Sequence, residues 1–225
     1  MKLYEHVIPA EFLARPNRFI ARVRIDGREE TVHVKNTGRC RELLIPGARV
    51  WLAAGANPAR RTRYDLVAVE KGGLLINMDS QAPNKAAAEA LPRLFPEITG
   101  LRPEAVFGDS RLDFCADTGE RKLYVEVKGC TLEEEGVALF PDAPTERGVK
   151  HLHELENAVR AGHDAALLVV NQMKGVRVFR PNRRTHPAFA DALLHARDAG
   201  VQVLARDCLV TPDSLTLDQA VKVEA

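Results

Sequence analysis

The chain has few cysteines, few aromatic residues and no long apolar run, and each shortage excludes a class of protein. The four cysteines are far apart and include no CxxC pair, so neither a disulfide framework nor a zinc site is expected. No apolar stretch approaches the roughly 20 residues that a membrane helix needs. Residues 1–6 lack the apolar run of a signal peptide, and we therefore expect a cytoplasmic protein without membrane contact.

The composition is otherwise that of an ordinary globular protein. The 225 residues are 45% hydrophobic and 28% charged, which is enough apolar chain for one large core or two small ones. The formal net charge of +1 hides an asymmetry, because residues 1–71 hold 14 Lys and Arg against 8 Asp and Glu. A basic first third and an acidic remainder indicate a polyanion-binding module joined to a part with carboxylate chemistry.

Residues 1–80 are predicted to form a small β domain. Residues 19–25 alternate apolar and basic side chains, turn at Asp26-Gly27 and continue into a strand over residues 31–35, which is typical of a hairpin. Five short strands in this length favour a closed barrel of the oligonucleotide-binding (OB) type, with a small β-sandwich as the alternative. The remaining three strands are predicted over residues 49–53, 64–69 and 74–77.

Residues 81–225 are predicted to form a second domain, a mixed sheet flanked by helices, so that the fold class is α/β and the whole chain is α+β. Helices are predicted over residues 85–94, 145–161 and 187–199. Strands are predicted over residues 105–107, 111–116, 123–128, 165–171, 175–179 and 201–204.

Three charged residues on one predicted hairpin form the candidate catalytic site. A turn centred between residues 119 and 120 places Asp113 directly opposite Glu126, with Lys128 two residues along on the same face. A slip of one residue would bury these charges and expose the apolar side chains of the other face, so this register is favoured. That other face is predicted to carry Leu112, Phe114, Val125 and Val127.

Two opposed carboxylates have Cβ atoms about 5 Å apart and repel one another, unless a cation lies between them. Mg²⁺ or Mn²⁺ would offset that repulsion, because Mg²⁺ commonly binds through one or two carboxylates. Lys128 could then activate water or stabilise charge on a phosphate, which is the minimum equipment for phosphodiester hydrolysis. An ordinary surface salt-bridge cluster is the alternative.

The order of the surrounding elements favours the metal site over the salt-bridge cluster. A helix precedes the hairpin, and a helix and a strand follow it, as in the core of the PD-(D/E)xK restriction-endonuclease-like fold. Nucleases of this fold often place a supporting carboxylate on the preceding helix, so Glu89 is predicted as a further metal ligand. Glu104, just before the first predicted strand of the second domain, is the weaker candidate for this supporting ligand.

Candidate nucleic-acid contacts occur in both domains. On helix 145–161, the residues Arg147, Lys150 and His151 share one polar face that could approach phosphates, with a solvated surface as the alternative. In the first domain, the polar loop 35–41 offers accessible backbone amides and arginines. The predicted contacts of the first domain are Asn36, Arg39 and Arg41, extended by Arg22 and Arg24 on a strand.

Several segments together resemble the sugar fermentation stimulation protein (SfsA) family of bacteria and archaea, in order and across nearly the whole chain. The resemblance implies an OB domain, a second domain similar to PD-(D/E)xK nucleases, DNA binding, and a proposed role in regulating sugar metabolism. Asp113, Glu126 and Lys128 match the nuclease signature, and Asp142 is a motif residue without an assigned role. The matching segments are 36–39, 45–47, 83–85, 89–90, 110–114, 125–132, 140–148 and 150–155.

Three functions therefore remain open at this point. The first is a DNA-binding protein with a metal-dependent nuclease-like site, on single- or double-stranded DNA. The second is a non-enzymatic DNA-binding regulator of sugar-metabolism genes on a nuclease scaffold, since a fold alone does not decide activity. The third is a small-molecule phosphohydrolase. A homodimer is compatible with each of them, because dimers are common among nuclease-like folds.

Overall fold

The structure is a computed structural model that describes residues 1–55 and 59–225. Its first part is a β-barrel in the strand order β3-β2-β1-β4-β5-β6, closed by a parallel pairing of β3 with β5. This closure defines an OB barrel, which confirms the prediction over the sandwich alternative. The strands are β1 (Val7–Asn17), β2 (Ile20–Ile25), β3 (Arg28–Val34), β4 (Arg49–Ala54), β5 (Tyr64–Lys71) and β6 (Leu74–Asn77).

The predicted hairpin of β2 and β3 is confirmed. The turn residues Asp26 and Gly27 have φ of 48° and 80°, and two positive φ angles characterise the tight turns that join twisted antiparallel strands. Ala21 and Val23 are fully buried, so the alternating residues of β2 face outward. The arginines of this strand therefore lie on the barrel surface.

The first strand of the barrel is absent from the sequence-based prediction. β1 contains Pro9 and Pro16, which are depleted in strands, and its pairing with β2 is interrupted by two irregularities between Phe12 and Asn17. Phe12 is nevertheless almost fully buried in the barrel core. Burial of this side chain by residues distant in sequence outweighs the local preference against a strand.

The second part is a nine-stranded mixed sheet in the order β10-β11-β13-β15-β14-β12-β9-β8-β7. Its helices match the predicted ones within a few residues: α1 (Ala82–Leu94), α2 (Glu146–Arg160) and α3 (Pro187–Asp198). None of the helices in the described part of the chain is long and apolar enough to cross a membrane. The strands are β7 (Thr99–Phe107), β8 (Ser110–Thr118), β9 (Arg121–Cys130), β10 (Glu133–Glu134), β11 (Val137–Phe140), β12 (Asp164–Asn171), β13 (Val178–Pro181), β14 (Gln202–Thr211) and β15 (Ser214–Val223).

The helices cover the central strands of this sheet from two sides. On one side, the alanine-rich face of α1 packs through Ala87 and Leu91 against Val125 of β9 and Leu168 of β12. On the other side, α2 and α3 bury their apolar stripes in a core that is continuous with the barrel interior. Residues on opposite faces of β9 therefore meet different helices, which positions the candidate site.

The predicted apolar face of the β8–β9 hairpin is wrong at Leu112. Phe114 packs in the core beneath α1, as expected, but Leu112 packs in the other core, with Cys115. The cause is an irregularity at the level of Asp113: neither neighbouring strand pairs with this residue, and Glu104 opposite it has a φ of 53°. β8 therefore changes direction at Asp113, which breaks the two-residue alternation.

The two sheets separate between the end of β6 and the start of α1, close to the boundary predicted at residue 80. The first residues of the chain lie against the second domain, because Lys2 forms an antiparallel bridge with Ser214 of β15. The polypeptide therefore crosses between the domains twice, once before β1 and once after β6.

A buried polar network fixes the two domains to one another. The Tyr4 hydroxyl donates a hydrogen bond to Asp79 Oδ2 over 3.0 Å, and the Lys35 ammonium lies 2.6 Å from the same oxygen. Gln172 of the second domain donates from Nε2 to the carbonyl oxygens of Asn77 and Asp79, each over 3.1 Å. Because buried polar groups are costly when unpaired, this network specifies one arrangement of the domains.

Candidate active site

The β8–β9 hairpin has the predicted register, and it brings the three charged residues together. The observed pairs run from Thr118–Arg121 to Phe114–Val125, where the ladder ends. Asp113 is the next residue of β8, and its Oδ2 accepts a hydrogen bond from the Val127 backbone N–H over 2.7 Å. The Asp113 carboxylate thus replaces a strand contact and is held against β9, beside Glu126.

Glu126 is the most buried member of the cluster, with 2% of its surface exposed. Its Oε1 accepts hydrogen bonds from the Lys128 ammonium and from His151 Nδ1. Its Oε2 is buried and has no hydrogen-bond partner among the described residues. A buried carboxylate oxygen without a donor costs roughly 1–3 kcal/mol or more, so this atom indicates a ligand position.

Asp113 is anchored from the other side of the sheet by α1. Asn84 Nδ2 donates to Asp113 Oδ1 over 2.7 Å, so both Asp113 oxygens have one donor and retain further lone pairs. Asn84 belongs to a segment of the family resemblance, but the sequence analysis did not assign it to the site. The prediction began the helix at residue 85 and therefore left Asn84 outside it, whereas α1 begins at Ala82 and includes Asn84 in its first turn.

The two carboxyl groups have pKa values displaced in opposite directions. Burial and the negative charge of Glu126 raise the pKa of Asp113. Burial also acts to raise the pKa of Glu126, but the hydrogen bonds from His151 and Lys128, with the charge of Lys128, lower it below its usual range. Glu126 is therefore the strongly held anion of the pair.

The sequence predicted His151 on a phosphate-facing surface, but in the structure it lies inside the cluster. Its ring is 5% exposed, with Nδ1 at Glu126 and with Nε2 accepting a hydrogen bond from Arg147 Nε over 3.3 Å. A guanidinium only donates, so His151 Nε2 is the acceptor of this bond. The ring proton is therefore on Nδ1, which donates the hydrogen bond to Glu126. His151 thus orients Glu126, and Arg147 lies at the rim beyond it.

The structure does not bring Glu89 to this cluster. Its carboxylate is 47% exposed and lies 3.6 Å from the Met1 amino group. Five residues separate Glu89 from Asn84, which corresponds to about 140° around the helix axis, so only one of them can face Asp113. Glu104 is also separate, because it forms an exposed ion pair with Arg111 over 3.2 Å.

The other predicted nucleic-acid contact on α2 is exposed. Lys150 Nζ donates to the Asp109 carbonyl oxygen in the β7–β8 turn over 2.9 Å and has no carboxylate partner among the described residues. Its charge therefore remains uncompensated one residue before His151. Arg147 and Lys150 give the open side of the cluster a positive rim.

The loop after β3 is held in a fixed shape by backbone contacts. Asn36 Oδ1 accepts from the Gly38 N–H over 2.7 Å, and Arg15 donates to the carbonyl oxygens of Asn36, Gly38 and Arg39. Arg39 and Arg41 are exposed, and neither side chain has an ion pair within residues 1–55 and 59–225. Asn36 thus shapes the loop, and the two arginines are left free for an anion.

This loop lies against the second domain. Ser80, next to α1, donates from its N–H and its hydroxyl to the Lys35 carbonyl oxygen, both over 2.9 Å. A Cβ added to Gly38 would lie 2.8 Å from Asp142 Oδ2, so a larger residue here would displace the Asp142 carboxylate. Asp142, the motif residue without an assigned role, therefore lies at the contact between the loop and the second domain.

Arg22 and Arg24 differ from the arginines of the loop. Arg22 lies 3.4 Å from Glu29 and Arg24 lies 2.7 Å from Glu11, on the outer surface of the barrel. Both charges are thus matched by neighbouring glutamates. The structure does not join these two residues to the loop, and their role in binding stays a prediction.

The donor set around Asp113 and Glu126 suits a divalent cation that needs few protein ligands. Within the described part of the chain, no group of three or more His, Cys, Asp or Glu side chains is arranged to hold a metal ion. A cation here would therefore use the two carboxylates and complete its coordination with water and substrate oxygens, which is the usual mode of Mg²⁺.

A closed OB barrel joined to a mixed sheet with paired carboxylates and a lysine defines a class: OB proteins with an appended nuclease-like domain. Comparison with known families agrees with this class. Residues 13–78 match the SfsA N-terminal OB domain, and residues 81–214 match the sugar fermentation stimulation protein RE domain. The chain belongs to the sugar fermentation stimulation protein family, as the resemblance predicted.

Full-length relatives support the assignment. A sugar fermentation stimulation protein homolog of Desulfitobacterium hafniense is 56% identical over 222 residues, which cover 98% of this chain and 97% of the relative. A homolog of Clostridium beijerinckii is 49% identical, with 98% of both chains covered. The structure of Pyrococcus furiosus SfsA in complex with Ca²⁺ matches with a TM-score of 0.88 at 32% identity, over 100% of both chains.

Proposed function

We propose that this protein binds DNA and hydrolyses phosphodiester bonds at a divalent-metal site formed by Asp113 and Glu126. The observation that carries the proposal is the unpartnered, buried Oε2 of Glu126, beside a second carboxylate and a lysine. Both Lys128 and His151 donate to Oε1, so the ion pairs of Glu126 leave its Oε2 without a partner among the described residues. A buried oxygen left without a donor favours a cation as its missing partner.

The residues present fit a hard divalent cation. Asp113 and Glu126 supply carboxylate oxygens, and Asn84 and His151 fix the direction of each carboxylate through its other contacts. The Pyrococcus furiosus relative was solved with Ca²⁺, an ion that also takes oxygen ligands. Mg²⁺ or Mn²⁺ bound at these oxygens would stabilise the negative charge that develops on a phosphate during hydrolysis.

Lys128 is the residue that would contact the reacting phosphate. Its ammonium is held by Glu126 and is partly exposed, so that its remaining protons can point to a phosphate oxygen or to an attacking water. His151 acts through Glu126 and does not reach the substrate. Arg147 and Lys150 on the rim would hold the flanking phosphates.

Binding to DNA is expected to be mainly electrostatic. Residues 1–71 carry the excess of basic residues, whereas aromatic residues make up 5% of the chain. Arg39, Arg41, Arg147 and Lys150 have no carboxylate partner within the described residues, so each can replace a counterion on a phosphate. Affinity for DNA should therefore fall steeply as the salt concentration rises.

Cleavage of end-labelled DNA tests the proposal. Single-stranded, duplex and branched DNA should be cut with Mg²⁺ or Mn²⁺ and remain intact with a chelator. Asp113→Asn is expected to slow cleavage by at least about 100-fold, because it removes a ligand charge beside Glu126. The matched control is Asp117→Asn on the same strand, where the carboxylate is exposed and pairs with Arg102 over 3.2 Å.

Each other outcome has a defined meaning. DNA binding that ignores metal ions, with no cleavage of any substrate, would overturn the hydrolase and leave a DNA-binding regulator on a nuclease scaffold. Hydrolysis of free nucleotides, with intact DNA, would make the protein a small-molecule phosphohydrolase. Equal activity of Asp113→Asn and the wild type would place any cleavage at another site.

A further inference from the structure

A basic pocket opens at one end of the barrel, apart from the carboxylate cluster. It lies between the β1–β2 turn and the loop that follows β3, and we name it the loop pocket. Its volume is about 340 Å³. Small-molecule sites run from about 300 to 1,000 Å³, so the loop pocket is large enough for one small ligand. Its lining residues are Arg15, Asn17, Arg18, Thr37, Gly38, Arg39, Arg41 and Leu44.

The wall of the loop pocket is preorganised by Arg15. One of its terminal nitrogens donates to the carbonyl oxygens of Gly38 and Arg39, over 2.8 and 2.7 Å. The other donates to the carbonyl oxygens of Arg18 and Asn36, over 2.8 and 2.6 Å. The β1–β2 turn is thereby fixed to the loop before any ligand arrives, which lowers the entropic cost of binding.

The exposed arginines of the loop pocket form no ion pairs with described residues, although the Asp142 carboxylate of the second domain approaches Gly38 in the lining. Arg18, Arg39 and Arg41 form no ion pair within the described ranges 1–55 and 59–225. Arg22 and Arg24 on the same barrel are both paired with glutamates. Three unpaired guanidinium groups around one concave site therefore favour an anionic ligand.

Two residues that directly follow lining residues in the sequence, Phe19 after Arg18 and Ile45 after Leu44, expose apolar surface. Phe19 is 45% exposed, and the Arg18 guanidinium lies 4.8 Å from the centre of its ring. Ile45, which follows Leu44 of the pocket wall, is 56% exposed. In the described part of the chain, two of the four exposed large hydrophobic residues thus adjoin lining residues of this basic site. An anionic ligand with an accessible flat ring satisfies both features.

We propose that the loop pocket takes one nucleotide of a single-stranded nucleic acid, with the base on Phe19 and the flanking phosphates at Arg39 and Arg41. This inference rests on the proposed DNA binding and adds the preference for a single strand. Bases in a duplex are stacked on their neighbours and offer phosphates but no free face. Only an unpaired base can stack on the Phe19 ring.

The path of the chain connects this pocket with the cluster. The loop starts at Lys35, whose carbonyl oxygen accepts both hydrogen bonds from Ser80. Ser80 stands just before α1, the helix whose Asn84 holds Asp113. The loop that lines the pocket is therefore tied at its start to the segment that leads into α1, the helix whose Asn84 holds the Asp113 carboxylate.

Fluorescence anisotropy with a labelled DNA strand of about 20 nucleotides, longer than an OB barrel covers, tests the inference. The full-length protein is titrated in a metal chelator, with the strand alone and with the strand annealed to its complement. Phe19→Ala is expected to weaken single-strand binding about 5- to 150-fold and to change duplex binding less than about twofold. Phe19→Trp keeps an aromatic ring at this position and should bind the single strand as the wild type does. The matched control is Val106→Ala, an exposed apolar residue on β7.

A second pair of variants tests the charges. Replacing Arg39 and Arg41 together by Ala should reduce the salt slope for the single strand by about 1.4, since each phosphate contact contributes about 0.7. Replacing Arg183 and Arg197 together by Ala should leave that slope unchanged, because both lie in the second domain and form exposed ion pairs with Asp191 and Asp198. Equal slopes for the two pairs would remove the phosphate contacts from the loop pocket.

The result separates this inference from the proposed function. Duplex binding that equals or exceeds single-strand binding, or Phe19→Ala with wild-type affinity, would overturn the single-strand pocket and leave DNA binding intact. Loss of both affinities to the same degree in Phe19→Ala would also overturn it. Absence of binding to either DNA by the wild type would remove DNA binding itself, and with it the basis of the pocket.

Discussion

Replacing Glu126 by Gln is expected to lower metal-dependent cleavage by at least about 100-fold without unfolding the protein. The Gln carbonyl oxygen can still accept from Lys128 and His151, as Glu126 Oε1 does. The amide NH₂ group then occupies the place of Oε2, and its protons repel a cation where the wild type presents an unpartnered oxygen. The variant should therefore lose the metal function and keep the local structure.

Three measurements are needed for the Glu126→Gln variant: the cleavage rate with Mn²⁺, DNA affinity in a chelator, and the melting temperature. The cleavage rate should fall by at least about 100-fold, and DNA affinity in a chelator should stay the same. Loss of the ion pair with Lys128 should lower the melting temperature without unfolding the protein. Glu156→Gln is the matched control, because Glu156 is another buried glutamate, on α2, and pairs with Arg160. A Glu126→Gln protein that cleaves at the wild-type rate would show that Oε2 holds no catalytic cation.

Of the proposed substitutions, Asp79→Ala is expected to lower the free energy of unfolding most. Asp79 is 1% exposed, and its carboxylate binds the Tyr4 hydroxyl, the Lys35 ammonium and the Gln81 N–H. Its charge also acts, with burial, to raise the pKa of Tyr4, so the hydroxyl stays protonated as a donor. Removal of one partner from a buried ion pair costs roughly 3–5 kcal/mol, because the other charge is left uncompensated.

For a chain of this length, the loss corresponds to a decrease in melting temperature of about 6–20 °C. Differential scanning calorimetry of Asp79→Ala and of a control variant measures this decrease. Asp191→Ala is the matched control, because Asp191 forms an exposed ion pair with Arg183 over 2.8 Å, and its loss should cost less than about 1 kcal/mol. A melting temperature of Asp79→Ala equal to that of the control would mean that the network between the domains contributes little.

The local signals in the sequence were sufficient for most elements. The amphipathic and alanine-rich segments predicted all three helices, and the Asp26-Gly27 turn predicted the first hairpin. Register was also predictable, because the turn at residues 117–119 set the pairs from Thr118–Arg121 to Phe114–Val125. These features depend on neighbours a few residues apart, which a single sequence displays.

The failures have a different origin, because they depend on contacts between distant segments. β1 contains two prolines, and its place in the barrel depends on pairing with β2 and β4. β15 was also not predicted, and it lies between β13 and β14. A strand that is stabilised by such partners has no strong pattern of its own.

The candidate site shows the same division. The turn and the pairing of β8 with β9 predicted that Asp113, Glu126 and Lys128 lie together, although β8 departs from the alternation at Asp113. The groups that orient them come from α1 and α2, and their direction depends on how each helix is rotated against the sheet. The sequence therefore favoured Glu89 over Asn84, and it placed His151 on the outer surface rather than against Glu126.

The most direct test of the central claim is the location of Mn²⁺ in a crystal of the full-length protein, by anomalous diffraction. The account predicts a peak about 2.1 Å from Glu126 Oε2 and from one carboxylate oxygen of Asp113, the distance expected for a small divalent cation. The same peak should vanish in Glu126→Gln. Absence of a peak in the wild type at this position, or a peak held by other carboxylates only, would contradict the claim that this cluster is a metal site.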